Sequence, residues 1–123
     1  MKKIVIAGSR NFNDYERVKK FIDNYIQDKA GNSITILSGG CRGADLLGEK
    51  YAKENGYEVV RISPEWEKYG RAAGIVRNKK MAEMADVVVC FWDGKSKGTK
   101  AMINHAKKLN KETVVKIIDL EEI

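Results

Sequence analysis

The feature that most constrains the fold is a regular alternation of short apolar runs with amphipathic segments. Several of the apolar runs are continuous rather than alternating, which is typical of strands that are buried on both faces. We predict five strands, at residues 2–8, 33–37, 57–62, 86–92 and 113–118. The segments between them carry apolar residues at a spacing of three or four, which predicts amphipathic helices. These helices are predicted at residues 14–29, 44–56, 72–85 and 99–110.

The order of these elements along the chain predicts how they pack. Strand and helix alternate throughout, without a repeat or a low-complexity tract, and this pattern predicts a parallel sheet with helices on both faces. A chain of 123 residues has the size of one domain. Ligands of such sheets bind at the carboxyl ends of the strands, near the point where the strand order reverses. If the strand order is 3-2-1-4-5, the loops after strands one and four face each other at that point.

The composition, 43% hydrophobic and 33% charged residues, is typical of a water-soluble protein. The longest apolar run, residues 87–92, is far too short to span a bilayer. Because the basic N-terminal residues are not followed by a leader pattern, we expect a cytoplasmic protein without a membrane partner. The formal net charge of +6 favours anionic partners such as nucleotides or nucleic acid, although a lysine excess also serves ordinary solubility.

The cysteine and histidine content does not indicate a metal site. Cys41 and Cys90 lack a CxxC or Cys/His spacing, and the single histidine, His105, lies in a lysine-rich segment. We therefore expect two reduced thiols, no metal and no resident cofactor.

Residues 93–99, with the sequence DGKSKGT, follow the fourth predicted strand and form one candidate site. The inner GKS resembles part of a Walker A loop, but that motif requires a glycine where Val89 stands. A glycine-rich turn into a helix exposes backbone N–H groups that favour an anion, so one interpretation is a phosphate site. The other is an Asp-Gly turn with Thr99 as a helix N-cap. The predicted ligand-binding residues are Asp93, Gly94, Ser96, Gly98 and Thr99.

Residues 38–45, with the sequence SGGCRGAD, repeat this arrangement after the second predicted strand. Their glycines do not have the GxGxxG spacing of a dinucleotide-binding loop. Asp45 and Glu49 lie one helical turn apart, so either can approach a sugar hydroxyl or an attacking water. Alternatively, Asp45 only stabilises the helix dipole and Glu49 is only exposed. The ligand-binding residues predicted in this loop are Ser38, Gly39, Gly40, Gly43 and Asp45.

The loop after the first predicted strand contributes Gly8, Ser9 and Arg10. These residues leave the strand at the expected reversal point of the sheet, where a guanidinium can bind phosphate through two parallel hydrogen bonds. A surface salt bridge is the alternative for Arg10.

The loop after the third predicted strand is rich in aromatic residues. Trp66 and Tyr69 precede the helix predicted at residues 72–85, which carries Arg77 and Asn78 near its start. One interpretation is that a base stacks on the aromatic rings while Arg77 approaches a negative charge. The alternative is a hydrophobic lid packed on the edge of the sheet.

Three stretches of the sequence, taken together, resemble the YspA-related branch of the SLOG superfamily. They are GSRNFNDY, LSGGCRGADLLGEKYAKENGYEV and PEWEKYGRAAGIVRNKKMAEMADVVVCFWDGKSKGTKAMI, and they cover nearly the whole chain in order. The resemblance implies an α/β fold: a single Rossmann-like domain over residues 1–123, with a five-stranded, mainly parallel sheet in the order 3-2-1-4-5. It also implies that the ligand is a nucleotide or nucleotide-derived molecule, and it favours a homodimer.

The same superfamily includes cytokinin-activating phosphoribohydrolases, the LOG enzymes, which pair an arginine with the glutamate of a GTxxE motif. The segment RNKKMAEMAD is similar to the arginine motif and places Arg77 in that position, whereas GTKAM puts Met102 in place of the glutamate. Methionine cannot supply the charge that an oxocarbenium-like state requires. By this resemblance, LOG-type hydrolysis requires Asp45, Glu49 or Asp93 as a substitute.

The sequence therefore supports one leading hypothesis and two rivals. The leading hypothesis is a domain that binds or senses a phosphate- and ribose-bearing nucleotide ligand at the carboxyl ends of the strands. The first rival is an N-glycosidase acting on nucleotides, with Arg77, Asp45 and Asp93 as candidate catalytic residues. The second is a nucleic-acid binder like the DprA proteins of the same superfamily. Whether the chain is an enzyme stays open at this point.

Overall fold

The computed structural model describes residues 2–27 and 33–118, and these residues form one sheet with helices on both faces. The strands are β1 (Lys2–Gly8), β2 (Ile34–Ser38), β3 (Glu58–Arg61), β4 (Val87–Trp92) and β5 (Glu112–Ile117). The helices are α1 (Tyr15–Gln27), α2 (Ala44–Glu54), α3 (Trp66–Tyr69), α4 (Ala73–Met84) and α5 (Lys97–Lys108), with a 3-10 turn at Gly70–Ala72.

The sheet has the order β3-β2-β1-β4-β5, and each neighbouring pair of strands is parallel. This confirms the α/β fold and the strand order predicted from the sequence. The reversal point lies between β1 and β4, because successive strands are added outward from β1 on one side and from β4 on the other. The loops that follow these two strands therefore meet at the same edge of the sheet.

Two apolar clusters hold the helices against the sheet. On one face, Ile4 and Ile6 of β1 pack with Val18 and Ile22 of α1 and with Tyr51 of α2. On the other face, side chains from β1, β2 and β4 pack with α4 and α5, and the buried members include Val5, Leu37, Val88, Met81 and Met102. The central strands are buried on both faces, which explains their continuously apolar sequences.

The elements differ from the prediction mainly at their ends. The first predicted helix extends to residue 29, but residues 28 and 29 lie outside the described part of the chain. The fifth strand begins one residue earlier and ends one residue earlier than predicted. The short helix α3 falls in a segment predicted as loop, because four residues are too few to show a helical spacing.

A glycine permits the close packing of the loops after β1 and β2. Gly43 has a φ of 87°, and a Cβ atom built on it would lie 2.3 Å from the carbonyl oxygen of Ser9. Only glycine tolerates both this backbone conformation and this approach without strain. The start of α2 is thereby placed directly beside the end of β1. Within the described ranges, no helix has the length and apolar character needed to cross a membrane.

Candidate functional site

A cavity of about 380 Å³ opens at the carboxyl ends of β1 and β4, where the strand order reverses. Four segments form its wall: the end of β1 with its loop, the start of α2, the second and third turns of α4, and the start of α5. The lining residues are Ala7, Gly8, Ser9, Arg10, Asn11, Cys41, Arg42, Asp45, Arg77, Asn78, Met81, Asp93, Ser96, Gly98, Thr99 and Met102. This volume lies in the range of small-molecule sites in proteins.

Hydrogen bonds of Ser9 join the two loops at the reversal point. The Ser9 N–H donates to the carbonyl oxygen of Phe91 at 3.0 Å, and the Ser9 hydroxyl oxygen accepts from the N–H of Asp93 at 3.2 Å. Ser9 is almost completely buried. Its side chain therefore fixes the relative position of the two loops that form this part of the cavity.

The loop between β4 and α5 is held by the carboxylate of Asp93. Its Oδ1 accepts hydrogen bonds from the N–H groups of Lys95 and Ser96, both at 2.8 Å. The hydrogen bonds from Ser96 and Lys95 lower the pKa of Asp93, because they stabilise the ionised form. This arrangement is the Asp-Gly turn of the second interpretation, but Ser96, not Thr99, is the N-cap of the helix that follows, because α5 begins at Lys97.

The turn delivers the start of α5 to the cavity wall. Ser96 immediately precedes the helix, its hydroxyl lies 3.2 Å from that of Thr99, and its carbonyl oxygen accepts from Trp92 Nε1 at 3.0 Å. The N–H groups in the first turn of a helix lack carbonyl partners within the helix and carry the positive end of its dipole. Gly98 and Thr99 place this end of α5 at the cavity.

Arg77 reaches the cavity from α4, with only 8% of its surface exposed. Its Nη1 donates to the carbonyl oxygen of Gly39 at 2.8 Å, and its Nε donates to Asn78 Oδ1 at 2.8 Å. Nη2 lies 3.8 Å from the Sγ of Cys41. These contacts fix the guanidinium in place, so that a positive charge is presented to the cavity without being free to turn away.

Asp45 lies across the loop from Arg77, near the start of α2, and is 7% exposed. Its Oδ2 accepts from the N–H of Cys41 at 3.2 Å. Burial raises the pKa of Asp45 to about 6, although the hydrogen bond from Cys41 and the nearby charge of Arg77 act in the opposite direction. A carboxyl group with a pKa near 6 can change its charge close to physiological pH.

Glu49, one turn further along α2, is hydrogen-bonded to other side chains and does not line the cavity. Its Oε1 accepts from Arg61 Nη2 and its Oε2 from the Ser38 hydroxyl, both at 2.6 Å, and Arg61 Nε adds a bond to Oε2 at 3.0 Å. The Ser38 hydroxyl also accepts from the N–H of Gly40 at 3.0 Å. Ser38 and Glu49 therefore fix the loop after β2 from behind and do not line the cavity.

The matching family model describes the YspA, cpYpsA-related SLOG family, and it covers residues 2–69, which is more than half of the chain. The chain belongs to this SLOG family. The Gene 61 protein of Mycobacterium phage D29 is 31% identical to it in an alignment of 114 positions, which covers 88% of this chain and 90% of the phage protein. The matched segment includes the first two cavity loops, whereas α4 and α5 lie beyond it.

Solved structures similar to this SLOG domain share its fold. The DNA processing protein A (DprA) of Streptococcus pneumoniae has a TM-score of 0.72 and 18% identity over 93% of this chain, and DprA of Helicobacter pylori has 0.71 and 21% over 97%. The structural genomics target TM1055 has a TM-score of 0.66 and 23% identity over 92% of the chain. The SLOG chain spans 49% of the S. pneumoniae protein, 66% of the H. pylori protein and 72% of TM1055.

The structure brings ten of the sixteen predicted ligand-binding residues of the SLOG domain to the cavity wall. They are Gly8, Ser9, Arg10, Asp45, Arg77, Asn78, Asp93, Ser96, Gly98 and Thr99. Six others lie outside the wall: Ser38, Gly39, Gly40, Gly43, Gly94 and Trp66. Trp66 is 61% exposed on α3, so its ring neither lines the cavity nor packs as a buried lid.

Six cavity residues of the SLOG domain are absent from the predicted set: Ala7, Asn11, Cys41, Arg42, Met81 and Met102. Cys41 and Arg42 lie inside a loop in which five other residues are predicted to bind the ligand, so their position in that loop is a usable signal. Met81 follows Arg77 by one helical turn, which places both on one face of α4. Met102 is the residue that occupies the place of the LOG glutamate, and it contributes a buried apolar surface to the wall.

Proposed function

We propose that this SLOG domain binds a nucleotide or nucleotide-derived ligand, with a phosphate group seated between Arg77 and the start of α5. The observation that supports this most directly is the buried guanidinium of Arg77 at the wall of a cavity that also receives a helix N-terminus. Arginine and helix N-termini are the two devices by which proteins most often hold phosphate. Arg10 and Arg42 line the same cavity and add positive charge.

The test is a thermal-shift and calorimetry screen against AMP, ADP-ribose, NAD, cyclic nucleotides and a short single-stranded DNA, with mass spectrometry of each mixture. A ligand that binds the folded state raises the melting temperature by mass action. The informative variant is Arg10→Ala, because Arg10 lines the cavity and is exposed, so we expect its side chain to be removable without loss of the fold. We expect roughly a tenfold loss of affinity, since hydrogen bonds to charged groups contribute about 1.5–3 kcal/mol.

The matched control is Arg71→Ala, which removes an exposed arginine of the 3-10 turn that does not line the cavity. We expect nucleotide affinity in this variant to equal that of the wild type. The proposal is overturned if no nucleotide binds, whereas equal affinities of the two arginine variants would overturn the contribution of Arg10. Binding of the DNA alone, with a steep dependence on salt, would instead support a role like that of H. pylori DprA, whose single-stranded DNA binding is recorded.

A second candidate function, nucleotide N-glycosidase, is favoured by one observation at Asp45. A carboxyl group in the cavity wall with a pKa of about 6 has the properties of a general acid or base. Because Met102 stands where LOG enzymes have their glutamate, such an enzyme would depend on Asp45 for its acid–base step. Mass spectrometry separates the two functions, since a hydrolase releases free base whereas a binding domain leaves the nucleotide intact.

We further propose that residues 1–123 act as a single domain and that the domain is a cytoplasmic homodimer. The continuous sheet of the described residues supports the first point, and the SLOG resemblance supports dimerisation. Light scattering coupled to size-exclusion chromatography measures the mass directly, and a monomer at micromolar concentration would contradict the dimer.

A further inference from the structure

One carboxylate oxygen of Asp45 accepts a hydrogen bond within the described part of the protein, and the other does not. Oδ2 accepts the N–H of Cys41 at 3.2 Å, whereas Oδ1 has no hydrogen-bond donor among the residues that the structure describes. The residue is only 7% exposed, yet it lines the cavity. A buried carboxylate is costly unless its oxygens accept hydrogen bonds, so Oδ1 is an acceptor that a bound molecule can satisfy.

This carboxylate stands in a cavity that otherwise favours anions. Arg10, Arg42 and Arg77 line the wall with it, and its negative charge opposes the binding of a phosphate. By contrast, the buried carboxylate of Glu49, on the same helix, accepts hydrogen bonds from Arg61 and Ser38 on both of its oxygens. Asp45 and Arg77 form no such ion pair within 4 Å in the described structure, so the carboxylate keeps its acceptor capacity.

The positions of Asp45 and Arg77 around Gly39 indicate which part of a ligand lies near the Asp45 carboxylate. A Cβ atom built on Gly39 would lie 2.9 Å from Asp45 Oδ2 and 3.0 Å from Arg77 Nη1. The carboxylate and the guanidinium therefore flank one small backbone segment. A ligand that places a phosphate at Arg77 has its adjoining group close to Asp45, and in a nucleotide the adjoining group is a ribose with two hydroxyl donors.

We infer that Asp45 accepts a hydrogen bond from a ribose hydroxyl of the ligand and so makes the cavity selective for ribonucleotides over deoxyribonucleotides. The inference rests on the proposed nucleotide-binding function and adds a specificity determinant to it. A hydroxyl that donates to a carboxylate forms a stronger bond than one between neutral groups. An analogue without that hydroxyl leaves the carboxylate buried beside a phosphate without compensation.

The charged groups around Asp45 are consistent with an ionised carboxylate at pH 7.5. Burial, and to a smaller extent Glu49 on the same helix, raise its pKa, whereas the Cys41 N–H, Arg77 and Arg10 lower it, and the net value is about 6. The Cys90 thiol of β4 also feels its charge, and burial together with Asp45 raises the pKa of that thiol to about 12. The thiol therefore stays neutral and does not compete for a ligand donor.

The test measures by calorimetry at pH 7.5 the affinities of AMP, 2′-deoxy-AMP, 3′-deoxy-AMP and pyrophosphate for the wild type and for Asp45→Asn. For the wild type we expect at least one deoxy analogue to bind on the order of tenfold more weakly than AMP. In Asp45→Asn this preference should disappear. Pyrophosphate and the disfavoured deoxy analogue should bind the variant more tightly than the wild type, because the repulsive charge is gone.

This opposite response distinguishes selection from a merely structural role, since a damaged site would weaken every ligand. Glu58→Gln is the control for net charge, because Glu58 is exposed at the amino end of β3, away from the cavity. If AMP and both deoxy analogues bind the wild type equally, the inference is wrong while nucleotide binding stands. If no nucleotide binds at all, the proposed function fails, and the inference fails with it.

Discussion

Two buried acids on α2, Glu49 and Asp45, lie one helical turn apart and meet opposite surroundings. Glu49 is 6% exposed and its oxygens accept three hydrogen bonds from Arg61 and Ser38. Burial raises its pKa, but the hydrogen bonds from Arg61 and Ser38 outweigh burial, so the pKa lies below its ordinary value. Asp45 is equally buried, yet one of its oxygens opens to the cavity and its pKa is raised.

The comparison separates an acid that stabilises the fold from an acid that the fold tolerates. The Glu49 cluster, formed by Glu49, Arg61 and Ser38, joins β2, α2 and the end of β3 behind the loop that carries Gly39 and Cys41. The Asp45 carboxylate stands on the other side of the same loop and costs stability in the ionised form. Ionisable groups that cost stability in a cavity are typical of functional sites. We therefore expect neutralisation of Glu49 and of Asp45 to change the stability in opposite directions.

The largest effect is expected for Glu49→Gln, which removes the charge that holds Arg61 and Ser38. Removing one partner of a buried ion pair leaves the other charge buried without compensation, at a cost of about 3–5 kcal/mol. Because the Arg61 side chain is half exposed, we expect a smaller loss, of about 2–3 kcal/mol. Urea unfolding at pH 7.5 measures this loss. Because the folded-state pKa of Glu49 is lowered, its contribution to stability is lost as the pH falls.

Glu58→Gln is the matched control for this prediction, with the same chemical change at an exposed site on β3. We expect its free energy of unfolding to stay within about 0.5 kcal/mol of the wild type. Equal stability of the two variants would show that the Glu49 cluster contributes nothing to the fold. Nucleotide affinity of folded Glu49→Gln should remain that of the wild type, in contrast to Asp45→Asn.

The next effect has the opposite sign: Asp45→Asn should raise stability at pH 7.5 by roughly 1–2 kcal/mol. The folded-state pKa of about 6 exceeds the ordinary value of 3.8. The folded protein therefore holds this proton more tightly than the unfolded chain, and wild-type stability falls as the pH rises through that interval. The neutral amide removes this fall, at the cost of a weaker bond from the Cys41 N–H.

Urea unfolding of the wild type and of Asp45→Asn at a series of pH values from about 4 to about 8 checks the sign of this stability difference. The difference in unfolding free energy should be small at the acid end and largest above the pKa of Asp45. A variant that is less stable than the wild type at pH 7.5 would show that the ionised carboxylate stabilises the fold, as Glu49 does.

Sequence reasoning predicted the sheet because its signal is distributed over many residues. Each central strand is a run of apolar residues, and each long helix has an apolar face, so single errors do not change the order of elements. The ends of elements and the four-residue helix α3 depend on only a few residues. They were correspondingly less predictable than the strand order.

The contrast between Asp45 and Glu49 was beyond sequence reasoning, although both residues were singled out. The partner of Glu49 is Arg61, at the end of β3, and it is brought near by the register that pairs Ser38 with Arg61. No spacing along the chain reveals that pairing before the sheet is known. The loops around the cavity were predictable because glycine-rich turns follow the strands, whereas the direction in which Gly39, Gly43 and Gly94 face depends on backbone geometry.

The smallest effect on stability, a loss of roughly 1 kcal/mol, is expected for Gly39→Ala. Gly39 does not have a positive φ, so the added methyl group acts through its contacts with Asp45 Oδ2 and Arg77 alone. It should push the carboxylate and the guanidinium apart and lower AMP affinity by about tenfold, because a ligand held by both groups requires their relative position. Calorimetry and urea unfolding of the same preparation measure the two effects.

Gly74→Ala is the control for Gly39→Ala, because a methyl group built on Gly74 in the first turn of α4 meets nothing within 4 Å. Alanine is also the better helix former, so we expect this variant to be at least as stable as the wild type and to bind AMP equally well. If Gly39→Ala binds AMP as tightly as Gly74→Ala does, the space between Asp45 and Arg77 is not used by the ligand. Asp45 would then be a tolerated acid without a role in recognition, and its contrast with Glu49 would concern stability alone.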